Sequence, residues 1–190
     1  MELLKERILE EGFCLPGNIL KVDSFLNHQI DPELTLAMGK EFARRFAGTQ
    51  LDKVVTVESS GIAIGLAVAA ELGTKLVFAR KNKSALMQED RYTCPITSFT
   101  KKETKDVYIL KKFLAAGEKI LIIDDFLANG CALRALLEIC KKAGAKVVGA
   151  GIAIEKEYQG GGNELRAEGL RIESMARIAS MDAEDGISFC

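Results

Sequence analysis

The feature that most constrains this chain is an alternation of short apolar runs with amphipathic segments. Four runs rich in β-branched residues predict buried strands, which lie at 53–57, 76–79, 119–124 and 146–154. Helical patterns at 62–72 and from Asn129 to Gly144 lie between them. Apolar runs of this kind are typical of parallel strands covered by helices on both faces. The alternation therefore predicts an α/β fold with a mostly parallel central sheet, whose ligands bind at the C-terminal ends of its strands.

The remaining segments add two helices and one irregular stretch. One helix is predicted at 2–11, and a second begins after Asp31, has Pro32 in its first turn and runs to about Phe46. The stretch 81–105 has no sustained period and predicts a loop or a flexible hairpin, which is either a lid over a site or exposed surface. Because no repeat or linker interrupts the 190 residues, we expect one domain.

Charge and composition exclude several classes of protein. Lysine and arginine total 26 against 27 acidic residues, so no positive excess favours nucleic acid or an anionic membrane. The longest uncharged stretch, 59–70, is much shorter than the roughly 20 residues that a membrane helix needs. The acidic N-terminus lacks the basic start and unbroken apolar run of an export signal. We therefore expect a cytoplasmic protein that binds neither nucleic acid nor membrane.

Cysteine and histidine usage limits the metal and redox chemistry. The five cysteines are odd in number and form no CxxC pair, which favours reduced thiols over a disulfide framework or a zinc site. His28 is the only histidine, so it is the one candidate imidazole base, although a surface or structural histidine is the simpler interpretation. Any metal in this protein must then be held by oxygen atoms.

The sharpest functional signal is the string LIIDDFLANGCA at 121–132. A buried strand ends in Asp124 and Asp125, whose carboxylates can accept hydrogen bonds from the hydroxyls of a sugar diol. A short loop then enters a helix, and backbone N–H groups at a helix start suit a phosphate. Those amides belong to Ala128, Asn129, Gly130, Cys131 and Ala132. Together the acids and the amides predict a ribose 5-phosphate site, although alone the acids could simply end a strand and Asn129 cap a helix.

This string resembles the fingerprint of the type I phosphoribosyltransferases, which is an apolar strand, an acidic pair, a short loop and a glycine before a helix. The segments LKVDSFLNHQIDP at 20–32, VESSGIA at 57–63 and VFARK at 77–81 are similar to the subgroup of that family that acts on xanthine. The resemblance covers nearly the full chain. It implies a single domain, 1–190, with a core at about 34–154 and a small hood made of the segments before and after that core.

The resemblance implies an activity and its reactants. The 5-phosphoribosyl group of phosphoribosyl pyrophosphate (PRPP) would be transferred to N9 of xanthine, giving XMP and pyrophosphate in purine salvage. Magnesium would be carried by PRPP, with no metal bound directly by the protein. The family also implies a homodimer, in which Arg80 reaches the site of the neighbouring subunit.

The resemblance also assigns residues to the parts of PRPP. Asp124 and Asp125 would hold the ribose hydroxyls and favour the positive charge that builds up on the ring, while the loop 128–132 would bind the 5-phosphate. The residues assigned to pyrophosphate are Glu58, Ser59, Ser60, Gly61, Arg80 and Lys81. Without the resemblance, the first four would be an ordinary turn before a helix and the last two a solvated basic pair.

The base pocket is assigned by resemblance to Leu20, Asn27 and Lys156. Xanthine has exocyclic oxygens at ring positions 2 and 6, so its site needs hydrogen-bond donors, which Asn27 and Lys156 can supply. A cation at Lys156 could also stabilise the xanthine anion and sharpen selection. From the residues alone, Asn27 could equally be a turn amide and Lys156 a surface charge.

Two features leave the mechanism and the substrate open. In related hypoxanthine-guanine enzymes an acid precedes the threonine and glycine of the phosphate loop, but Ala128 and Asn129 stand in those places here, so no general base is assigned. The base could also be guanine or hypoxanthine, or the chain could be a purine-responsive regulator that binds PRPP. About 30 residues before the core are too few for the DNA-binding domain of such a regulator. The glycine run 160–162 is expected to form a flexible turn.

Overall fold

In the computed structural model, residues 1–81, 90–97, 104–182 and 186–190 are described. The α-helices in these ranges are α1 (Glu2–Glu11), α2 (Pro32–Arg45), α3 (Gly61–Glu71), α4 (Cys131–Ala143) and α5 (Gly161–Ala167). The strands in the same ranges are β1 (Phe13–Leu15), β2 (Ile19–Lys21), β3 (Lys53–Val57), β4 (Lys75–Ala79), β5 (Arg91–Thr97), β6 (Thr104–Leu110), β7 (Lys119–Leu127), β8 (Lys146–Lys156), β9 (Ile172–Asp182) and β10 (Gly186–Phe189).

Among the described residues, six strands form the central sheet in the order β10, β9, β8, β7, β3 and β4. Every neighbouring pair is parallel except the edge pair of β9 and β10. This arrangement confirms the predicted mostly parallel sheet. Strand β7 continues beyond its two acids because its ladder with β8 extends to the pair of Leu127 and Glu155. The predicted end at Asp124 was therefore three residues too early.

Strand alternation divides the core between the two faces of the sheet. On one face, Leu121 and Ile123 pack with residues of α1, α2 and α3. On the other face, Ile120 and Ile122 pack with residues of α4 and of the β6 strand. Both faces are thus covered, which explains why the central strands are largely apolar up to their C-terminal ends.

Local signals positioned the second helix correctly. The Asp31 carboxylate accepts a hydrogen bond from the backbone N–H of Leu34 at 3.0 Å, and Pro32 is the first helical residue. Midway along α2, a Cβ atom on Gly39 would lie only 2.8 Å from the backbone of Ala67 in α3. The absence of a side chain at Gly39 therefore lets the two helices pack closely.

Two small antiparallel hairpins lie outside the central sheet in the part of the chain that the structure describes. Strands β1 and β2 form one near the N-terminus, and strands β5 and β6 form the other. The second confirms the hairpin alternative for the described part of 81–105, whereas residues 82–89 and 98–103 lie outside the described residues. The division into core and hood and the role of this hairpin as a lid stay predictions. Within the described ranges, no helix combines the length and apolarity needed to cross a membrane.

Candidate functional site

The predicted site residues lie along one edge of the sheet. Strands β3, β4 and β7 are parallel neighbours, with Val57 opposite Ala79 and Val55 opposite Ile122. The loops that leave these strands therefore emerge side by side at their C-terminal ends. This is the edge at which open parallel sheets bind ligands.

The two acids at the end of β7 have different surroundings. Asp124 is only 4% exposed, and its Oδ1 accepts a hydrogen bond from the backbone N–H of Asp125 at 3.1 Å. Burial, and then the neighbouring charge of Asp125, raise the pKa of Asp124 well above its usual range. Asp125 is half-buried. The pair thus offers one accessible carboxylate and one buried carboxyl that ionises with difficulty.

The raised pKa of Asp124 leads to a prediction about the stability of the fold. A buried acid whose pKa is higher in the folded than in the unfolded state stabilises the fold below the unfolded-state pKa of about 3.9, and this contribution is lost as the pH rises. Asp124→Asn keeps an oxygen for the N–H of Asp125 and is neutral at every pH. We expect the variant to raise the melting temperature at pH 7 by roughly 2–4 °C, the shift that about 1 kcal/mol produces in a domain of this size.

Thermal unfolding of the unliganded protein measured between pH 4 and pH 8 tests this expectation. The gain from Asp124→Asn should shrink towards pH 4, where the native carboxyl is protonated. The exposed Asp23→Asn is the matched control and should leave the melting temperature nearly unchanged. A gain that is independent of pH, or no gain at pH 7, would contradict the assignment of Asp124 as a destabilising charge.

The predicted pyrophosphate residues are brought together by Glu58. Its carboxylate accepts a hydrogen bond from the backbone N–H of Lys81 at 2.6 Å and lies 3.8 Å from Nε of Arg80. The loop after β3 and the loop after β4 are therefore tied to each other through this side chain. Ser59 is exposed, Ser60 is half-buried, and the peptide bond between Glu58 and Ser59 is cis.

Gly61 closes this loop where it meets the acids. It is buried as the first residue of α3, and a Cβ atom there would overlap the hydroxyl of Thr56 and lie 3.1 Å from Oδ1 of Asp124. The glycine therefore allows the start of α3 to approach the carboxyl pair. The structure brings the predicted pyrophosphate loop and the predicted ribose acids into direct proximity.

The predicted phosphate loop connects β7 to α4. Gly130 precedes the helix with a φ of 82°, a left-handed conformation that favours glycine. The sequence predicted Asn129 as the cap, but Gly130 occupies that position, because the chain must turn sharply there to enter α4. The side chain of Asn129 still accepts a hydrogen bond from the N–H of Cys131 at 3.3 Å. Ala128 and Ala132 are half-buried on either side of this turn.

The prediction of a flexible turn at 160–162 is wrong for Gly161 and Gly162, because both are buried in the first turn of α5. Only Gly160 makes a turn, with a φ of 81°. The N–H of Gly161 donates to the carbonyl of Ala128 at 3.2 Å. A Cβ atom on Gly161 would lie 2.5 Å from that carbonyl oxygen and 2.7 Å from the backbone nitrogen of Gly130. Helix α5 therefore supports the phosphate loop by direct backbone contact, a role that sequence reasoning missed.

Lys156 ends β8 beside the N-terminal hairpin. Its Nζ donates to the carbonyl of Asn18 at 2.6 Å and lies 5.4 Å from the centre of the Phe126 ring. Partial burial lowers the pKa of the Lys156 ammonium. Sequence reasoning gave Phe126 no role, although its place next to the acidic pair was visible. Its ring presents a flat apolar surface beside a cation, which is suited to a heteroaromatic base.

The other two predicted base-pocket residues differ in exposure. Leu20 is buried in the core on strand β2, one residue after Ile19 begins that strand. Asn27 is exposed at the end of a short π-helical turn, Asp23–Asn27, and His28 next to it is also exposed. The structure thus places the amide of Asn27 and the imidazole of His28 in contact with solvent, whereas Leu20 contributes to packing.

Comparison with known proteins identifies similar sequences. A family model described as the phosphoribosyl transferase domain matches residues 28–164. A xanthine phosphoribosyltransferase of Bacillus cytotoxicus is 53% identical over 186 residues, which cover 98% of this chain and 93% of that protein. A xanthine phosphoribosyltransferase of Bacillus cereus is 50% identical over 182 residues, covering 96% of this chain and 92% of the relative.

Solved structures with the same fold have more distant sequences. An adenine phosphoribosyltransferase of Thermoanaerobacter pseudethanolicus matches with a TM-score of 0.76 and 21% identity, covering 92% of this chain and 99% of that one. The Giardia lamblia enzyme complexed with 9-deazaadenine matches with a TM-score of 0.76 and 24% identity, covering 92% of this chain and 97% of that one. These matches confirm the predicted α/β architecture of a central, mostly parallel sheet with flanking helices.

Proposed function

The chain belongs to the phosphoribosyl transferase domain family, and from this premise we propose that it transfers the 5-phosphoribosyl group of PRPP to N9 of xanthine, giving XMP and pyrophosphate. The observation that carries this assignment is the identity of about half of all residues, over nearly the whole length, with xanthine phosphoribosyltransferases of two Bacillus species. The same similarity supports a place in purine salvage.

The reaction exchanges one bond at C1 of the ribose for another. The bond from C1 to the pyrophosphate oxygen breaks with its electron pair leaving on pyrophosphate, and N9 of the base bonds to C1 as the base loses a proton. Positive charge builds up on the ribose ring in between. The accessible carboxylate of Asp125 binds the ribose hydroxyls and stabilises that charge, because an oriented negative group is most effective where charge develops.

Two loops hold the two phosphate ends of PRPP. The amides of 128–132, at the start of the 13-residue helix α4, bind the 5-phosphate. The amides from Ser59 to Gly61 bind pyrophosphate, with Arg80 and Lys81 supplying positive charge. The carboxylate of Glu58, which would repel an anion, instead accepts a hydrogen bond from the backbone N–H of Lys81 and pairs with the guanidinium of Arg80, and so holds this stretch of chain at the same edge. Catalysis on this arrangement comes largely from positioning.

The base lies between the sheet edge and the N-terminal segment. The ring of Phe126 offers a stacking surface, and Lys156 and Asn27 donate to the exocyclic oxygens of xanthine. The ammonium of Lys156 also stabilises the anion that xanthine forms on losing its proton, which reduces the need for a separate general base. Leu20 contributes the apolar wall of the pocket.

The same assignment extends to magnesium, to the oligomeric state and to the cellular location of the protein. Magnesium enters as part of the substrate, bound to the diphosphate of PRPP, and the accessible carboxylate of Asp125 suits a hard cation near it. The protein acts in the cytoplasm as a homodimer, with Arg80, exposed after the edge strand β4, available to the neighbouring subunit.

The decisive experiment is nucleotide formation by the purified protein with magnesium and PRPP. Xanthine, guanine, hypoxanthine, adenine and uracil are offered separately, and products are separated by chromatography. We expect the highest kcat/KM for xanthine, by at least about tenfold over guanine and hypoxanthine, because only xanthine uses donors at both oxygen positions. Preference for guanine or hypoxanthine would overturn the base assignment, and PRPP binding with no product from any base would favour a regulator.

A further inference from the structure

A buried ion-pair network lies behind the phosphate loop and the base pocket. The carboxylate of Glu155 is 1% exposed, and each of its two oxygens accepts a hydrogen bond of 2.6 Å from the guanidinium of Arg166. The hydroxyl of Ser174 donates to the same carboxylate, and Nε of Arg177 lies 3.8 Å from it. A charge this deeply buried must be paired and hydrogen-bonded, and the bidentate contact with Arg166 provides this.

The charges in this network are maintained at neutral pH. Burial alone would raise the pKa of Glu155, but hydrogen bonds from Arg166 and Ser174 outweigh it, so the pKa lies below its ordinary range. The pair is therefore ionic under physiological conditions. Loss of Arg166 would leave the buried carboxylate of Glu155 with only Ser174 and the more distant Arg177, and loss of Glu155 would remove the carboxylate that binds Arg166.

The network lies next to both the phosphate loop after β7 and the base-pocket residue Lys156. Glu155 pairs with Leu127, the last residue of β7 before the phosphate loop. Successive residues of a strand point to opposite faces. Glu155 accordingly contacts α5, whereas Lys156 reaches the N-terminal hairpin at Asn18. One strand end thus supplies a base-pocket residue on one face and an anchor for α5 on the other.

Helix α5 carries the connection from Glu155 to the phosphate loop. Arg166 lies in this helix, and a Cβ atom on Gly162 would overlap Oε1 of Glu155, so the helix start is pressed against the carboxylate. The preceding residue, Gly161, contacts the backbone of the phosphate loop and donates to the carbonyl of Ala128. A shift of α5 would therefore move the amides that receive the 5-phosphate.

We propose that Glu155 is a positioning residue for PRPP, which acts through Arg166 and helix α5 to hold the phosphate loop in its binding conformation. The inference rests on the proposed function, since it assigns the loop 128–132 to the 5-phosphate. It adds a determinant of PRPP affinity that contacts neither substrate. It also explains why a charged residue lies in the core at this strand end, where an apolar residue would satisfy packing alone.

The test is direct PRPP binding by isothermal titration calorimetry in the presence of magnesium. Arg166→Lys keeps the positive charge and loses the two-pronged geometry, and Glu155→Gln keeps the shape and loses the charge. We expect each to raise the Kd for PRPP by roughly tenfold, because a displacement of even about 1 Å at a phosphate site is costly. The double variant should bind PRPP with about the same Kd as the single variant that binds it more weakly, since both changes break one interaction.

Arg134→Gln is the matched control. Arg134 also joins α5 to the rest of the protein, through Glu164 at 3.2 Å and Glu168 at 2.9 Å, but these pairs are solvent-exposed. We expect its Kd for PRPP to stay within about twofold of the native value, because exposed ion pairs contribute little. An increase equal to that of Arg166→Lys would overturn the specific role of the Glu155 pair.

A purely structural role would give a different result. Arg166→Lys and Glu155→Gln would then lower the melting temperature and the active fraction, while the folded fraction would bind PRPP with the native Kd. That outcome would overturn the inference. Native protein that binds PRPP without forming XMP would refute the proposed transfer to xanthine and leave the positioning role to be judged from the Kd values. Native protein that forms XMP beside variants with unchanged Kd would refute only the positioning role.

Discussion

Replacing Asp125 with alanine is expected to lower kcat by roughly 10²–10³-fold, the typical effect of removing one preorganised electrostatic group from a transition state. Asp125 is the more accessible acid of the pair, whereas Asp124 is buried and its pKa is raised. The accessible carboxylate is therefore the group that can face the positive charge on the ribose ring. Steady-state kinetics with saturating PRPP and xanthine measure the effect.

A second substitution separates charge from hydrogen bonding. Asp125→Asn can still bind a ribose hydroxyl, so we expect the KM for PRPP to change less than kcat does. The fold should be unharmed, because removing a negative charge beside Asp124 relieves repulsion. A melting temperature at or above that of the native protein checks this point. Native kinetics for the alanine variant would refute the assigned role of Asp125.

Features set by neighbouring residues in the chain could be predicted from the sequence. The start of α2 depends on Asp31 and Pro32, which act within one helical turn, and its prediction was correct. The acids and the phosphate loop also lie within one twelve-residue string, 121–132. The apolar runs likewise identified β3, β4, β7 and β8, because burial of both faces leaves a largely apolar pattern, whereas β9 and β10 of the same sheet were not predicted.

Features that depend on distant contacts could not be predicted in this way. The glycines at 160–162 looked like a flexible turn because nothing near them in sequence shows that Gly161 contacts Ala128. The roles of Glu58 towards Lys81 and of Glu155 towards Arg166 also depend on how separate elements pack. In each case the residue type was compatible with several environments, and only the tertiary structure selects one. The glycine run 160–162 after β8 was the one feature of the sequence that could have indicated a close contact there.

The second large effect is expected at one of these missed positions. Gly161→Ala should raise the Kd for PRPP by at least about 100-fold, because the added methyl group would meet the backbone of the phosphate loop rather than a movable side chain. Either the loop or α5 must shift, and either shift displaces the amides that bind the 5-phosphate. Overpacking of this kind should also destabilise the fold by about 1–3 kcal/mol.

Binding and stability must therefore be measured together. Calorimetric titration with PRPP gives the Kd, and thermal unfolding verifies that the variant is folded at the temperature of the titration. Asn163→Ala is the matched control, since Asn163 is exposed in the same helix and its loss should leave the Kd within about twofold of the native value. A folded Gly161→Ala protein with native PRPP affinity would show that the loop tolerates displacement. In that case the close contact between α5 and the phosphate loop would serve packing alone, and the Kd for PRPP would not depend on how α5 supports the amides of 128–132.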